Sequence, residues 1–425
     1  MKNPISRRDL LTTAAAVASA TLPIPAMSQG SAGRVVVVGG GFAGTTCARF
    51  IRRIDPRITV TLVEGSPVFI ACPSSNAVIA GLRDLQAQQF GLDKVADDGV
   101  VLARAPAIGI DAQARFVALT NNARVSYDRL VLAPGIDLRW DALPGYSEAA
   151  SERMPHAWKA GEQTLLLRRQ LEAMEDGGTV IISAPANPFR CPPGPYERAS
   201  LIAYYLKTKK PKSKLILLDA KDAFSKQGLF QNAWKELYRG GMLEWVPLSA
   251  GGKVTSVDAA DMTLVTEFGK HKAAVANVIP PQKAGRIAET AGAADRSGWC
   301  PVHPVTFESR QQPNIHVIGD AAIMGAMPKS AFAANAQAKV CAAAVAKLLG
   351  GSSPDQAKLI NTCYSLVAPD YGISVAGVYR AADGQLKEVE GSGGVSPIDA
   401  PSSTRALEAR LADGWFKTIT EEVFG

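Results

Sequence analysis

The sequence predicts an α/β protein: two Rossmann-like dinucleotide-binding-type domains, the first discontinuous with the second inserted into it, plus a C-terminal interface domain. Three observations predict it. Residues 34–64 read as strand, glycine loop, helix, strand and acid. Residues 179–219 repeat strand, helix, strand with a different loop. Two further strand-and-turn segments, ending at Gly135 and Asp320, flank that second unit. The expected divisions are a leader at 1–29, the first domain at 30–144 and 281–350, the inserted domain at 145–280 and the last domain at 351–425.

In the first unit Arg34-Val-Val-Val-Val38 reads as a buried strand. Gly39-Gly-Gly41-Phe-Ala-Gly44 supplies Gly-x-Gly-x-x-Gly, and a helix is expected from about Thr45 to Ile54. Ile58 to Val63 is the next strand, and Glu64 ends it, 20 residues beyond Gly44. In such a unit Gly39 permits the tight turn, Gly41 lets a pyrophosphate approach the backbone, and Gly44 lets helix pack on strand. The helix N-terminus faces the phosphates, and Glu64 is placed to bond a ribose hydroxyl. Tyr127-Asp-Arg-Leu-Val-Leu-Ala-Pro-Gly135 and Asn314-Ile-His-Val-Ile-Gly-Asp320 look like the two further motifs of two-dinucleotide flavoproteins, which favours FAD. In motifs of the second kind the Asp binds the ribityl chain, which the likeness implies for Asp320 after Gly319; an ordinary strand-end turn is the alternative for this pair taken alone. A helix from about Ser330, directly after Lys329, aims its N-terminus at the flavin, where its dipole favours negative charge on the reduced ring.

In the second unit the scaffold persists and the phosphate loop does not. Pro185, Pro188, Pro192, Pro193 and Pro195 lack N–H donors and restrict their neighbours, and Gly194 is all that remains of a glycine pattern. No nicotinamide cofactor is therefore expected. Asp219 stands where a ribose-binding acid would be and is read as a strand cap. Cys191 lies on this loop, where related folds bring hydride to the flavin. Cys363 is the better candidate for a partner, although spacing alone does not establish a pairing. Cys47 and Cys341 fall inside helices and read as buried thiols; Cys300, in Gly298-Trp-Cys300-Pro-Val, is left open between burial and a role, with burial favoured. Cys72 follows Glu64 by eight residues and admits two readings: a free core thiol, or a thioether to the flavin 8-methyl group.

Composition narrows the class. The chain has 425 residues, 47% hydrophobic and 20% charged, as a globular protein has. Lys2, Arg7 and Arg8 against Asp9 make residues 1–29 net +2, leaving +5 for the rest, too little for a nucleic-acid footprint. Ser6-Arg-Arg-Asp-Leu-Leu11, the Ala/Thr run behind it and small residues at 26–29 read as a twin-arginine export signal, so the periplasm is expected. No other stretch holds 18 consecutive apolar residues, so no transmembrane segment is expected. No Cys-x-x-Cys or Cys-x-x-Cys-His occurs and the four histidines are scattered, which argues against zinc and against haem in this chain. Lys207-Thr-Lys-Lys-Pro-Lys-Ser-Lys214 reads as a solvated loop rather than a docking site for an acidic partner. Leu407, Leu411, Trp415, Ile419 and Val423, at spacing four, read as a helical stripe docked on the core.

Taken together, Gly39–Gly44, Cys72, Phe189-Arg-Cys-Pro-Pro-Gly-Pro-Tyr-Glu-Arg198, Ile318-Gly-Asp320, Cys363 and the tail from Trp415 to Gly425 resemble the flavoprotein subunit of flavocytochrome c sulfide dehydrogenase, a relative of sulfide:quinone oxidoreductases. The resemblance implies that Cys72 carries FAD through an 8α-cysteinyl thioether. It implies that Cys191 and Cys363 form a redox disulfide over the flavin, with Glu197 suspected of acid/base work beside it; a plain first-turn helix carboxylate is the alternative for Glu197. The chain departs from the family where Pro73 follows Cys72, since a bulkier residue often stands there. On this resemblance hydrosulfide opens the disulfide, helped by the positive field of Arg190 or Arg198, and electrons pass through the flavin singly to a c-type cytochrome subunit. Rival readings are a sulfide:quinone oxidoreductase, a non-catalytic exported flavin carrier of a sulfur-oxidising complex, and an NADH-dependent disulfide reductase.

Overall fold

The structure, a computed structural model, describes residues 32–425; the expected export signal lies outside them. The valine run Arg34–Val38 is the middle strand of a five-stranded parallel sheet. Its neighbours are Thr59–Val63 and Val101–Ala103 on one side, Arg129–Leu132 and Ile315–Val317 on the other. Strands buried on both faces need no polar alternation, which is why they read as unbroken apolar runs. The chain leaves this sheet after Leu132 and re-enters it at Ile315. Between the two it builds a second parallel sheet, ordered Leu243–Val246, Lys214–Asp219, Thr179–Ala184, Val275–Val278. The two crossings meet as an antiparallel pair, Ile136–Leu138 against Gln282–Ala284.

The first helix runs Phe42–Ile54, starting three residues before the expected Thr45, because Thr45 N already donates to Gly41 O at 3.1 Å. A Cβ on Gly44 would stand 1.9 Å from Gly39 O, so only glycine lets this helix lie so close to the turn. The helix after the proline loop is longer than the expected 196–206. It runs Gly194–Lys209, with Pro193 as its N-cap and Pro195 in its first turn. First-turn amides have no intrahelical partner, so prolines that spoil a phosphate loop are well suited to start a helix.

The C-terminal part is a long hairpin, Lys358–Ala368 against Tyr371–Ala382, covered by the helix Ser402–Phe424. A Cβ on Gly372 would reach 2.4 Å from Ala409 N, marking where hairpin and helix touch. The expected stripe on this helix is corrected. Ile419 (5% exposed) and Val423 (0%) dock on the core, but Leu407 (47%) and Leu411 (46%) face outward. Steps of four residues overshoot a turn by about 40° each, so over four steps the stripe winds to the opposite face. The inward positions of the first half are instead Arg405, Glu408 and Ala409. The lysine-rich loop is also less free than expected, since Lys207 Nζ donates to Leu237 O and Lys210 Nζ to Glu172 O and Met174 O.

Candidate active site

A cavity of about 880 Å³ opens between the glycine loop, the proline loop and the C-terminal hairpin. Its wall includes Gly39, Gly41, Glu64, Cys72, Gly135, Gly319 and Asp320 from the first sheet's loops, Cys191 and Glu197 from the proline loop and its helix, and Cys363 from the hairpin. Gly44 and Lys329 are not on it. Gly44 serves packing behind the loop, as above. Lys329 is corrected as a side-chain contact to the cavity: its ammonium donates to Asp320 O and Ala322 O, both at 2.7 Å, and lies 4.0 Å from the Trp299 ring centroid. It braces the turn that carries Asp320.

The nucleotide end is built by backbone approach. A Cβ on Gly39 would come 2.3 Å from Ala133 O, and one on Gly41 would press on Phe69 at 3.1 Å. Glu64 Oε2 accepts from Gly40 N at 2.7 Å and Oε1 from Ser66 N at 2.8 Å, holding the carboxylate at the rim. The expected helix begins at Ala331, with Ser330 capping it through Ala333 N. The Oδ1 atom of half-buried Asp320 is shut off from solvent and has no hydrogen-bond partner, while Oδ2 stands 3.9 Å from Arg190 Nη1. Burial pushes its carboxyl up, opposed by Arg190 and Lys329. Trp158 Nε1 on the same wall is likewise buried and unpaired. Buried polar atoms without partners are costly, so they mark where a polar ligand completes the site. A glycine cradle, a rim carboxylate and an orphaned acceptor fit a flavin dinucleotide with a hydroxylated chain.

The sulfur end joins three segments far apart in the chain. Cys191 has a left-handed backbone (φ 56), its N–H donates to Lys329 O at 2.8 Å, and its carbonyl accepts from Gly194 N at 2.8 Å. A Cβ on Gly194 would lie 3.1 Å from the Cys191 sulfur and 2.7 Å from Trp158, so that glycine leaves room for the thiol. Cys363 sits in mid-strand of the hairpin. All six cysteines are free thiols in the structure. Burial pushes the Cys191 thiol well up, Cys363 and Glu197 push the same way, and Lys226 and Arg190 oppose. Burial also raises Cys363, opposed by Lys226, with Glu197 adding to the rise. Cys72 Sγ lies 3.8 Å from Trp158 O, the carbonyl to which Arg190 also donates. Cys47, Cys300 and Cys341 are buried away from the cavity.

Polar residues from different elements tie this end together. Glu197 accepts from Leu366 N at 3.0 Å and from Asn76 Nδ2 at 3.2 Å. Burial pushes its carboxyl up, against the pull of Lys226 and Arg198 among others. Arg198 donates to Asn76 Oδ1, His156 O, Asn277 Oδ1 and Ala157 O, all neutral acceptors, and burial draws its guanidinium down to about 10. Lys226, Asn76 and Trp158 were not singled out from the sequence. Lys226 carried no local signal, because only tertiary packing brings it to Cys363.

Asp219 does not face the cavity. Its oxygens accept from Lys221 Nζ (2.5 Å), Tyr196 Oη (2.6 Å) and Trp245 Nε1 (3.0 Å), and Lys221 also donates to Pro185 O. Phe224 stacks on Tyr196 with centroids 3.5 Å apart beside it. Among the described residues no three His, Cys, Asp or Glu side chains gather as a metal site, and no helix is long and apolar enough to cross a membrane.

Residues 164–280 match the family described as sulfide dehydrogenase [flavocytochrome c] flavoprotein chain, central. Residues 355–424 match flavocytochrome c sulphide dehydrogenase, flavin-binding, and residues 33–171 match pyridine nucleotide-disulphide oxidoreductase. The sulfide dehydrogenase [flavocytochrome c] flavoprotein chain of Chlorobaculum thiosulfatiphilum is 60% identical over 45 residues, 11% of this chain and 94% of that sequence. A sulfide-quinone reductase of Aquifex aeolicus is 26% identical over 174 residues, 41% of this chain and 39% of that protein. The X-ray structure of the sulfide:quinone oxidoreductase from Aquifex aeolicus covers 92% of each chain with a TM-score of 0.73 at 17% identity, which establishes the shared fold. The protein is thus an α/β flavoprotein, and the chain belongs to the flavocytochrome c sulfide dehydrogenase flavoprotein family.

Proposed function

We propose that this protein is a sulfide dehydrogenase that oxidises hydrosulfide at a Cys191–Cys363 disulfide and passes electrons through FAD, singly, to a c-type cytochrome subunit. The observation that carries the reading is the meeting of Cys191, Cys363 and Glu197 on the wall of the cavity that also holds the glycine loop and Asp320. FAD, when bound, accepts an electron pair and releases electrons one at a time. Gly39 and Gly41 admit the pyrophosphate, Glu64 takes a ribose hydroxyl, and Asp320 Oδ1 takes a hydroxyl of the ribityl chain. Hydrosulfide attacks one sulfur of the disulfide. The old S–S bond breaks and a new one forms, leaving a persulfide on one cysteine and a thiolate on the other. Glu197, its proton affinity raised by burial, takes and returns the proton that separates hydrogen sulfide from hydrosulfide. Anaerobic titration with sulfide is expected to bleach the visible flavin band. A band that stays oxidised would favour a flavin carrier without catalysis.

The closed network around Asp219 supports the absence of a nicotinamide cofactor, because its oxygens are already bonded and Lys221 spans to the loop carbonyl of Pro185. NADH in the same titration is expected to leave the flavin oxidised. Cys72, on the cavity wall, is read as the thioether attachment of FAD. The Cys72→Ala protein is then expected to release its flavin on acid precipitation, whereas the unaltered protein carries flavin into the pellet. Release from both would remove the covalent link.

Export by the twin-arginine route to the periplasm is part of this reading, and Arg7→Lys together with Arg8→Lys is expected to hold the protein in the cytoplasmic fraction. Recovery of that variant from the periplasm would refute the route. The outward Leu407 and Leu411 on the C-terminal helix favour one rival, a quinone reductase resting on lipid. A turnover assay decides: cytochrome c reduction without added quinone supports the dehydrogenase, and strict dependence on quinone supports the rival.

A further inference from the structure

Lys226 lies far from both cysteines in the chain and close to them in the fold. It precedes the helix Gln227–Leu237 in a left-handed backbone conformation (φ 63), which turns its side chain back under the hairpin. Its ammonium donates to Cys363 O at 2.9 Å and to Ser365 Oγ at 2.8 Å, both neutral acceptors. Lys226 is 8% exposed, and among the described residues no carboxylate stands within ion-pair distance of it. Glu197 and Glu408 act on it only from beyond that distance, and a buried cation hydrogen-bonded to neutral acceptors is costly to keep. In the reading above, one of the two cysteine sulfurs near it turns negative when hydrosulfide opens the disulfide.

Resting on the sulfide dehydrogenase reading above, we propose that Lys226 is a positioning residue whose ammonium, anchored on Cys363 O and Ser365 Oγ, is the counter-charge for the thiolate released when hydrosulfide opens the Cys191–Cys363 disulfide. In that step the electron pair of the broken S–S bond goes to the departing cysteine sulfur. The charge of hydrosulfide is thereby moved onto that sulfur, within the field of Lys226, and the attacking sulfur keeps its hydrogen as persulfide. The other charged and titratable groups facing the pair are Glu197, which opposes the thiolate, Arg190 and Arg198 on the proline-loop side, Tyr379 on the hairpin, and Cys72. Glu197 and, from the C-terminal helix, Glu408 face Lys226 itself. Lys226 is the cation that acts on both sulfurs. Arg190 and Arg198 act on Cys191 and Cys72 but not on Cys363, and Arg198 is besides bonded to four carbonyl oxygens.

The test is the pH profile of thiol alkylation in the anaerobic, dithionite-reduced holoprotein. Iodoacetamide is the probe, and the modified Cys191 and Cys363 peptides are quantified by mass spectrometry. Lys226→Gln is expected to move the midpoint of alkylation up by about one pH unit, a roughly tenfold slower reaction at a fixed pH below it. Lys226→Arg keeps the charge and disturbs the two hydrogen bonds, so its midpoint is expected to stay with that of the unaltered protein. A Gln midpoint that does not move overturns the proposal. So does an Arg midpoint that rises as far as the Gln one, since a purely structural role would treat both alike. If the Gln variant does not fold, Lys226→Met takes its place as the uncharged variant, and an Arg midpoint that rises by about one pH unit overturns the proposal on its own. A non-reducing peptide map of the oxidised protein separates this from the parent reading: loss of the Cys191–Cys363 cross-link sinks the disulfide, whereas a present cross-link with an unmoved profile sinks only the role of Lys226.

Discussion

Cys191→Ser and Cys363→Ser proteins are expected to retain flavin and to lose sulfide-driven flavin reduction by at least on the order of 10³-fold. Serine keeps the size of the side chain and cannot form a disulfide. Hydrosulfide then has no sulfur–sulfur bond to open. The two single variants and the double variant should be equally slow, because one chemical unit is destroyed in each case. Reduction by dithionite should be unchanged, since that route does not use the cysteines. The measurement is stopped-flow absorbance of the flavin after anaerobic mixing with sulfide. Rates within tenfold of the unaltered protein would mean that sulfide reaches the flavin directly. That outcome would remove the disulfide from the mechanism while leaving the flavoprotein assignment intact. Glycine at 194 is part of the same arrangement, because a side chain there would press on both the Cys191 sulfur and Trp158.

The second large effect is expected where the C-terminal helix meets the glycine-loop side of the cavity. Phe424 stacks on Phe69 and Phe90 with centroids 5.2 and 5.1 Å away and meets Phe42 edge-on at 5.6 Å. Arg49, on the first helix, donates from Nη1 to the carbonyls of Glu422, Val423 and Gly425 and through Nε to Asp98. The C-terminal helix is thus capped by a cation and plugged by a ring. Both Phe42 and Phe69 border the cavity, and Phe69 packs where Gly41 makes its close approach. Phe424→Ala should cost about 3–5 kcal/mol, from lost burial and the void left among three rings. The denaturant midpoint should fall without a change in slope. Flavin should also be lost at lower denaturant, since the ring supports the residues at the glycine loop. A midpoint equal to that of the unaltered protein would show that the tail is not integral to the fold.

The first glycine-loop unit was legible from local residues alone. Gly39, Gly41, Gly44 and Glu64 lie within 26 residues, and their roles depend on one turn and one helix start, which short-range sterics decide. Equally legible was a second unit that keeps strands and helix without a phosphate loop, because prolines remove amide donors wherever they stand. Local reading was weaker where a rule has two uses: the same prolines start the helix at Gly194, two residues before it was expected. The residues that surround Cys191 are set by long-range packing. Cys363 is 172 residues away, and Lys226, Asn76 and Trp158 reach the same place from separate elements. Nothing in their neighbours along the chain announces this, since through-space contact across sheets leaves no periodic trace. The C-terminal helix makes the same point. Its apolar residues were visible, but the burial of Val423 and the exposure of Leu407 depend on how a straight helix crosses a hairpin, and that angle is set by packing rather than by spacing.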